Sequence, residues 1–366
     1  MKATLFFGAI FAIAVFIIPL IALFNGEPQA AQSAAAEHSL AYVTEPPAVL
    51  RPDQSDESAS PAIPVFAYSA HGVASFRILD ISTGRIDDVS VRDFVRGALA
   101  MEMPMSFHDE ALKAQAVAAH TWALTNHLRQ QRSPDPALRG ADFSADPWNR
   151  VVYITEEKAR EFFGPFFESS WERVTKITDS VLHYIIEHEG NPIMAAYHAI
   201  SAGKTEYMGN VWIGTSLYLL PVESIGCLLA PNFKVDVVLT LEQVENTLRN
   251  SFPNISLCDE PDRWFYALRR SDSGYIIEAE VAGIRLHGSD IRWMFGLRSH
   301  NLDIAYHAGY FIITARGHGH GVGMPQYGAD YLARRGYSFY EILQHYYSGI
   351  EIKRVDFGAA AMRLRE

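Results

Sequence analysis

Alternating apolar and polar residues predict that the ordered part of the chain begins near Val73. The segment SFRILDISTGRIDDVSV alternates around Thr83-Gly84, which is typical of a β-hairpin. Between residues 91 and 102 apolar side chains recur at roughly helical spacing, so we predict a helix there. Pro104 should stop this helix, because the residue before a proline avoids the α region.

A second helix is predicted at residues 110–129, where one face is rich in alanine and should pack closely against another element. Ser106 and Asp109 fit a capping box at its start, with Asp in place of the usual Glu. Later strands are predicted at 151–154, 181–186, 194–200, 236–239, 275–291 (strand, turn, strand) and 311–315, and a late helix at 337–347. The fold class is therefore α+β, with a mixed, mainly antiparallel sheet and packed helices.

An uncharged stretch at the N-terminus predicts a membrane anchor. Lys2 is followed by 22 residues without a charge, 3–24. At about 1.5 Å per residue this helix spans a hydrocarbon core of about 30 Å, and Pro19 is tolerated in such helices. A cleaved signal peptide is the alternative, since small residues at 30–36 offer cleavage sites, but its apolar stretch is usually shorter. We predict a single transmembrane helix at 1–25.

The composition changes after this segment. Residues 26–72 are rich in Pro, Ser, Asp and Ala, bury little apolar area and should form a flexible extracytoplasmic tether. One domain is then predicted at 73–358. The whole chain has 31 Lys and Arg against 42 Asp and Glu, a net charge of −11. This balance provides no overall attraction for nucleic acid, although it is compatible with a neutral glycan.

The two cysteines leave two alternatives open. Outside the cytoplasm Cys227 and Cys258 can form a disulfide, or they can be two separate apolar thiols. Their spacing along the chain does not decide whether their Cβ atoms meet.

Glu102 is the first candidate for chemistry. It lies in the sequence MEMPMSF, between methionines and a phenylalanine, at the C-terminal end of a predicted helix. Burial among apolar side chains and the negative end of the helix dipole both disfavour the charged carboxylate, so the pKa should rise. A carboxyl group with a raised pKa suits protonation of a leaving oxygen near neutral pH. The alternative is an exposed Glu at a helix end.

Two further segments carry polar side chains next to small residues. The segment YHAISAGKTE (197–206) offers donors and acceptors that suit a sugar. The segment RGHGHGVGMPQYG (316–328) has glycine at every second position, which lets backbone approach a ligand closely. The candidate substrate-binding residues are His198, Ser201, Lys204, Thr205, Glu206, His318, His320, Gln326 and Tyr327.

Other chemistries fit these segments less well. Glycine at every second position does not match the nucleotide fingerprint G-x-G-x-x-G. His318 and His320 can face one metal on a strand, but no further ligand pattern accompanies them, so no metal and no cofactor is predicted. The chain has neither the G-x-S-x-G elbow of a serine hydrolase nor H-E-x-x-H.

Together these segments resemble the stage II sporulation protein D family (SpoIID) of peptidoglycan lytic transglycosylases. The matching stretches are EMPMSFHDEALKAQAVAAHTWAL, HAISAGKTE with the following VW, and RGHGHGVGMPQYGADYLARRGYSFYEILQHYYSGIEI. Their order and spacing also match, and the likeness runs from about Val73 to Val355.

The resemblance implies a function for the domain at 73–358. Glu102 would be the catalytic acid that cleaves the bond between N-acetylmuramic acid and N-acetylglucosamine, leaving a 1,6-anhydro end. The preferred glycan would be stripped of stem peptides, during engulfment of the forespore in sporulation. The implied partners are peptidoglycan strands, the sporulation amidase (stage II protein P) and a polytopic membrane protein (stage II protein M). The implied location is the cell membrane, single-pass, with the domain outside the cytoplasm.

The chain departs from the family pattern at several positions. His120 stands where an arginine is common, Pro325 where a serine is common, and Ala202 where a glycine is common. Some relatives carry zinc ligands at positions that fall here on Ser144, Asn149 and Arg150, which do not replace Cys and His ligands. The resemblance therefore predicts no zinc in this chain. The departures motivate an alternative function, a glycan-binding or scaffolding module of the engulfment machinery with weakened catalysis.

Overall fold

The computed structural model describes residues 73–147, 149 and 151–355. The predicted anchor (1–25), the predicted tether (26–72) and the last residues of the predicted domain lie outside this part of the chain. Within it, none of the helices has the length and apolar character needed to cross a membrane.

The described residues form helices and strands in an irregular order. The α-helices are α1 (Val91–Glu102), α2 (Asp109–Arg132), α3 (Glu156–Phe163), α4 (Phe167–Val181), α5 (Leu241–Ser251), α6 (Gly288–Met294), α7 (Gln326–Arg334) and α8 (Phe339–Tyr346). The strands are β1 (Ser75–Asp80), β2 (Ile86–Ser90), β3 (Phe143–Ala145), β4 (Tyr184–His188), β5 (Asn191–Pro192), β6 (Tyr197–His198), β7 (Lys234–Thr240), β8 (Phe265–Arg270), β9 (Ile276–Val281), β10 (Ile284–His287), β11 (Leu302–His307), β12 (Tyr310–Arg316), β13 (Met324–Pro325) and β14 (Glu351–Arg354).

The pairing of the strands confirms the predicted α+β class. Antiparallel pairs join β1 to β2, β9 to β8 and β10, β12 to β7 and β11, and β4 to β5 and β14. The pairs β1–β3 and β6–β13 are parallel. The hairpin around Thr83-Gly84 is present as predicted, and α1 has the predicted bounds.

Helix α2 runs through the largest hydrophobic core of the described residues. It contacts α1, α4, α7, α8 and β4. Its alanines are almost fully buried, which confirms the close packing that their density predicted: Ala111, Ala114, Ala116, Ala118, Ala119 and Ala123. Small side chains let neighbouring elements approach the α2 backbone, and α7, which begins at Gln326, is therefore held against α2.

A second core lies within residues 237–315. It is built from β7–β12, α5 and α6 and includes Trp264, Phe311 and Leu302, which are all buried. The chain still contributes to the first core as far as Val222, then forms this second core, and returns through β12 to β13. Strands β6 and β13 are therefore neighbours in space, although more than a hundred residues separate them in the chain.

Two predicted strands are wrong. Residues 151–154 form only an isolated bridge, from Val151 to Asp146, and the Ile154 N–H donates to the Gly97 carbonyl of α1. Val152, Tyr153 and Ile154 are buried because the loop covers α1, so the apolar character of this segment reflects burial and not strand pairing. In residues 194–200 only β6 is a strand, and the rest is irregular backbone bridged at Ile200 to His318.

Helix boundaries also differ from prediction. Ser106 does not cap α2; the ring of His108 accepts from the Glu110 N–H instead, and Asp109 pairs with Arg173. Helices α3 and α4 were not predicted, and α4 extends to Val181, so the strand predicted at 181–186 begins only at Tyr184. The second predicted strand within 275–291 ends at His287, where α6 follows.

The two cysteines do not form a disulfide. Cys227 is buried, Cys258 is exposed, and both thiols are free. Of the two alternatives, the structure therefore has two separate thiols. Burial raises the pKa of Cys227, which favours an unreactive neutral thiol.

Candidate active site

Three segments that are distant in sequence meet at the C-terminal end of α1. Strand β6 pairs in parallel with β13, with Tyr197 opposite Met324 and His198 opposite Pro325. The next residue, Gln326, begins α7 and donates from Nε2 to Glu102 Oε2 over 2.9 Å. The structure thus places the end of α1, the polar turn and the glycine segment side by side.

Glu102 is a buried carboxyl group in apolar surroundings. It is the last residue of α1, its side chain is 3% exposed, and Met101 and Met103 on either side are also buried. Burial raises the pKa of Glu102 to about 8, while the hydrogen bond from Gln326 acts in the opposite direction. Oε1 of Glu102 is buried and has no hydrogen-bond partner among the described residues. The group is therefore mostly protonated at neutral pH, with one oxygen unengaged.

Helix α7 holds the turn that follows Glu102. Phe107 packs edge-to-face on Tyr327, with ring centroids 4.9 Å apart. The Asp330 carboxylate accepts from the His108 N–H over 2.7 Å, and Arg334 donates to the Ser106 carbonyl over 2.8 Å. These contacts fix the direction in which α1 ends and therefore the position of the Glu102 side chain.

Three of the alternating glycines (Gly317, Gly319 and Gly323) pack directly against residues 196–202, and Gly321 packs against the ring of Tyr275. Gly317, Gly319, Gly321 and Gly323 all have positive φ angles, between 71° and 109°. A Cβ atom on Gly323 would lie 2.0 Å from the Ala196 carbonyl oxygen. Only glycine allows both this conformation and this close approach. Packing between two backbone segments therefore accounts for the glycine pattern.

Replacing Gly323 with Ala should destabilise the fold by about 3 kcal/mol or more, because a left-handed backbone costs about 1–2 kcal/mol and the clash with the Ala196 carbonyl adds to it. Gly336→Ala is the matched control, since Gly336 also has a positive φ, 91°, but has no atom within 4 Å of an added Cβ. Its cost should be about 1 kcal/mol. Denaturant unfolding of both variants measures the difference, and equal costs would contradict the assigned close contact.

The three histidines of the predicted site are buried and tie the loops together. His320 accepts the Val322 N–H at Nδ1, and its Nε2 lies 3.0 Å from the Tyr197 carbonyl oxygen. His198 Nδ1 lies 3.0 Å from the Val322 carbonyl oxygen. Burial lowers the pKa of His198 and of His318 to about 3 and that of His320 well below its usual value, so all three rings are neutral. Among the described residues, no three or more His, Cys, Asp or Glu side chains are grouped to hold a metal ion.

The predicted residues of the polar turn differ in accessibility. Ser201 and Thr205 are fully buried, and the Thr205 hydroxyl accepts from the Val222 N–H over 2.8 Å. Both Glu206 oxygens are engaged: Oε1 accepts from the Tyr207 N–H and from Asn210, and Oε2 accepts from the Ser271 hydroxyl. Lys204 is partly exposed, 4.0 Å from Glu223. These side chains hold the loops, and a direct contact with glycan stays a prediction.

Sequence reasoning missed two buried polar residues, Tyr197 near Glu102 and Gln115 next to Tyr197. Tyr197 is buried, and both burial and the charge of Glu102 raise the pKa of its hydroxyl well above 10. Gln115, on α2, is fully buried and lies next to that hydroxyl. A polar Gln within an alanine-rich helix face was the available signal, because a buried amide needs polar neighbours.

The whole chain is similar to known sporulation proteins. The family described as Stage II sporulation protein (SpoIID) matches residues 80–184, which include Glu102. Stage II sporulation protein D of Bacillus amyloliquefaciens is 27% identical over 358 residues, 97% of each chain. Stage II sporulation protein D of Bacillus subtilis (strain 168) is 28% identical over 271 residues, 74% of this chain and 76% of that protein. The amidase enhancer of Bacillus subtilis (strain 168) is 23% identical over 308 residues, 70% of this chain and 39% of that protein.

Proposed function

We propose that this protein, which is similar to stage II sporulation protein D, acts in sporulation as a peptidoglycan lytic transglycosylase. Two relatives carry the name stage II sporulation protein D, which supports the sporulation role. The observation that carries the enzymatic proposal is Glu102, a buried carboxyl group with a pKa of about 8 and one oxygen without a protein partner. Such a group holds a transferable proton at neutral pH.

Glu102 acts first as acid and then as base. In the first step its proton passes to the glycosidic oxygen between N-acetylmuramic acid and N-acetylglucosamine, and the bond from C1 to that oxygen breaks. In the second step the Glu102 carboxylate takes the proton of the muramic acid C6 hydroxyl as that oxygen bonds to C1. The products are an N-acetylglucosamine end and a 1,6-anhydro end, and Glu102 regains its proton. A pKa near the working pH favours both transfers.

One carboxylate is enough for this reaction, whereas most glycosidases use two. The pKa of Glu102 is set by burial and by Gln326, neither of which is a second acid. Glu206 is the other carboxylate of the three segments, and its two oxygens accept three hydrogen bonds from the protein. This arrangement favours a transglycosylase over a two-carboxylate hydrolase.

The buried position of Glu102 sets a requirement for substrate entry. Its Oε1 has almost no solvent-accessible surface, so side chains next to it must move when a glycan binds. Tyr327 and Lys204 are partly exposed, so of the predicted contact residues these two are accessible to an incoming sugar. The buried residues of the predicted set would line the protein side of the site: His198, His318, His320 and Gln326.

Location and partners extend this proposal. We propose a single-pass cell-membrane protein with the domain outside the cytoplasm, acting with the sporulation amidase, stage II protein P, and the membrane protein, stage II protein M. The name of one relative, amidase enhancer, supports a link to amidase action. The uncharged segment 3–24 supports the anchor.

The test is digestion of purified peptidoglycan, with and without prior amidase treatment, by the purified full-length protein. We expect 1,6-anhydro-muropeptides by mass spectrometry, more from the amidase-treated glycan. Their absence from both substrates contradicts the proposed reaction. Retention of stripped glycan in a pulldown without any cleavage would instead support the alternative, a glycan-binding or scaffolding module.

A further inference from the structure

Gln326 is a rigidly placed buried amide. It follows β13, whose pairing with β6 fixes the backbone, and it is the first residue of α7, which packs against α2. Its side chain is 1% exposed, and its Nε2 donates to Glu102 Oε2 over 2.9 Å. Its own Oε1 is buried and has no hydrogen-bond partner among the described residues. The contact with Glu102 is therefore the polar contact that orients this amide.

We propose that Gln326 is the positioning residue that places the transferable proton of Glu102 on Oε1. This inference rests on the proposed function. A neutral carboxyl group has one hydroxyl oxygen and one carbonyl oxygen, and an amide N–H can only donate. The oxygen that accepts from Gln326 is thus the carbonyl oxygen, Oε2. The proton is left on Oε1, the oxygen that no described protein group engages.

The same contact serves both proton transfers. When Glu102 has given its proton to the leaving oxygen, the Gln326 N–H stays on Oε2 and stabilises the carboxylate. Oε1 is then the free oxygen that accepts the proton from the C6 hydroxyl. Because one oxygen loses and regains the proton, the side chain does not have to rotate between the two steps.

The Gln326 oxygen that has no hydrogen-bond partner among the described residues predicts which kind of sugar binds well. Glu102 Oε1, when protonated, needs an acceptor, and Gln326 Oε1 needs a donor. A sugar with an acetamido group offers both, through its glycosidic oxygen and its N–H. Leaving buried polar atoms unpaired is costly, so a sugar without such a donor should bind less well.

The first test compares wild-type protein with Gln326→Met, which keeps the side-chain length and removes both polar atoms. With amidase-treated peptidoglycan we expect kcat to fall by about 10- to 100-fold. The N–H of Gln326 lowers the pKa of Glu102. Its removal should therefore also move the alkaline limb of the pH–rate profile to higher pH. Gln131→Met, at an exposed position near the end of α2, is the matched control and should leave both unchanged.

A second variant separates positioning from a loss of packing. Gln326→Glu keeps the length and can donate to Oε2 while it is protonated, so it should retain more activity than Gln326→Met at acidic pH and lose it as the pH rises. Infrared titration of the Glu102 carboxyl group gives its pKa without relying on turnover. If the wild type is active, and Gln326→Met keeps both the alkaline limb of the pH–rate profile and the pKa of the Glu102 carboxyl group unchanged, the inference is overturned. A wild type that does not cleave glycan overturns the proposed function instead.

Discussion

Glu102→Gln should lower the rate of glycan cleavage by about 1,000-fold or more while the protein remains folded. A general acid contributes about 100- to 10,000-fold, and here the same group also serves as base, so its loss removes both proton transfers. Gln has the shape of the protonated carboxyl group and can still accept the hydrogen bond from Gln326. Release of anhydro-muropeptides over time measures the effect.

Glu187→Gln is the matched control for this substitution. Glu187 lies on β4, is largely buried, and burial raises its pKa as well, yet it is not part of the three segments that meet at Glu102. Its variant should cleave glycan at the wild-type rate. Cleavage by Glu102→Gln within about tenfold of wild type would show that another group supplies the proton.

The second large effect concerns stability and does not depend on the proposed reaction. The pKa of Glu102 rises from 4.5 to about 8 on folding, so between these pH values the folded state holds a proton that the unfolded state has lost. The free energy of unfolding therefore falls as the pH rises through this window and levels off above pH 8. At about 1.4 kcal/mol per pKa unit, the upper limit of this loss is about 5 kcal/mol.

Glu102→Gln removes this titration. We expect the variant and the wild type to be equally stable near pH 4.5, and the variant to be more stable by about 3–5 kcal/mol at pH 8. Urea unfolding of both full-length proteins across this range measures the difference. A difference that stays constant with pH would mean that Glu102 is ionised in the folded protein, and the acid role would then lack its physical basis.

Local patterns predicted the elements whose neighbours in space are also neighbours in sequence. The β1–β2 hairpin, α1, β7, β12 and α8 follow from alternation or helical periodicity within a few residues. Prediction was wrong where tertiary contacts override such patterns. Residues 151–154 are apolar because they cover Gly97, and the α2 cap is His108, whose ring accepts from the Glu110 N–H, while Asp109 pairs with Arg173.

For the polar residues of segment 197–206, the role of each side chain was harder to predict than its position near the candidate active site. Ser201, Thr205 and Glu206 lie in a segment that packs against the glycine segment. Hydrogen-bond partners of these side chains lie in loops from elsewhere in the chain, such as those that contain Val222 and Ser271. These loops therefore decide which polar atoms face the protein. No pattern within residues 197–206 contains that information.

The direction of the pKa shift of Glu102 follows from the local sequence, because the flanking methionines and the helix end are local features. Which of its oxygens is engaged depends on contacts between distant segments. Gln326 is 224 residues away in the chain, and it reaches Glu102 because β6 and β13 pair and α7 packs on α2. Desolvation is a property of the immediate surroundings, whereas the placement of one proton requires a directed hydrogen bond from a distant segment.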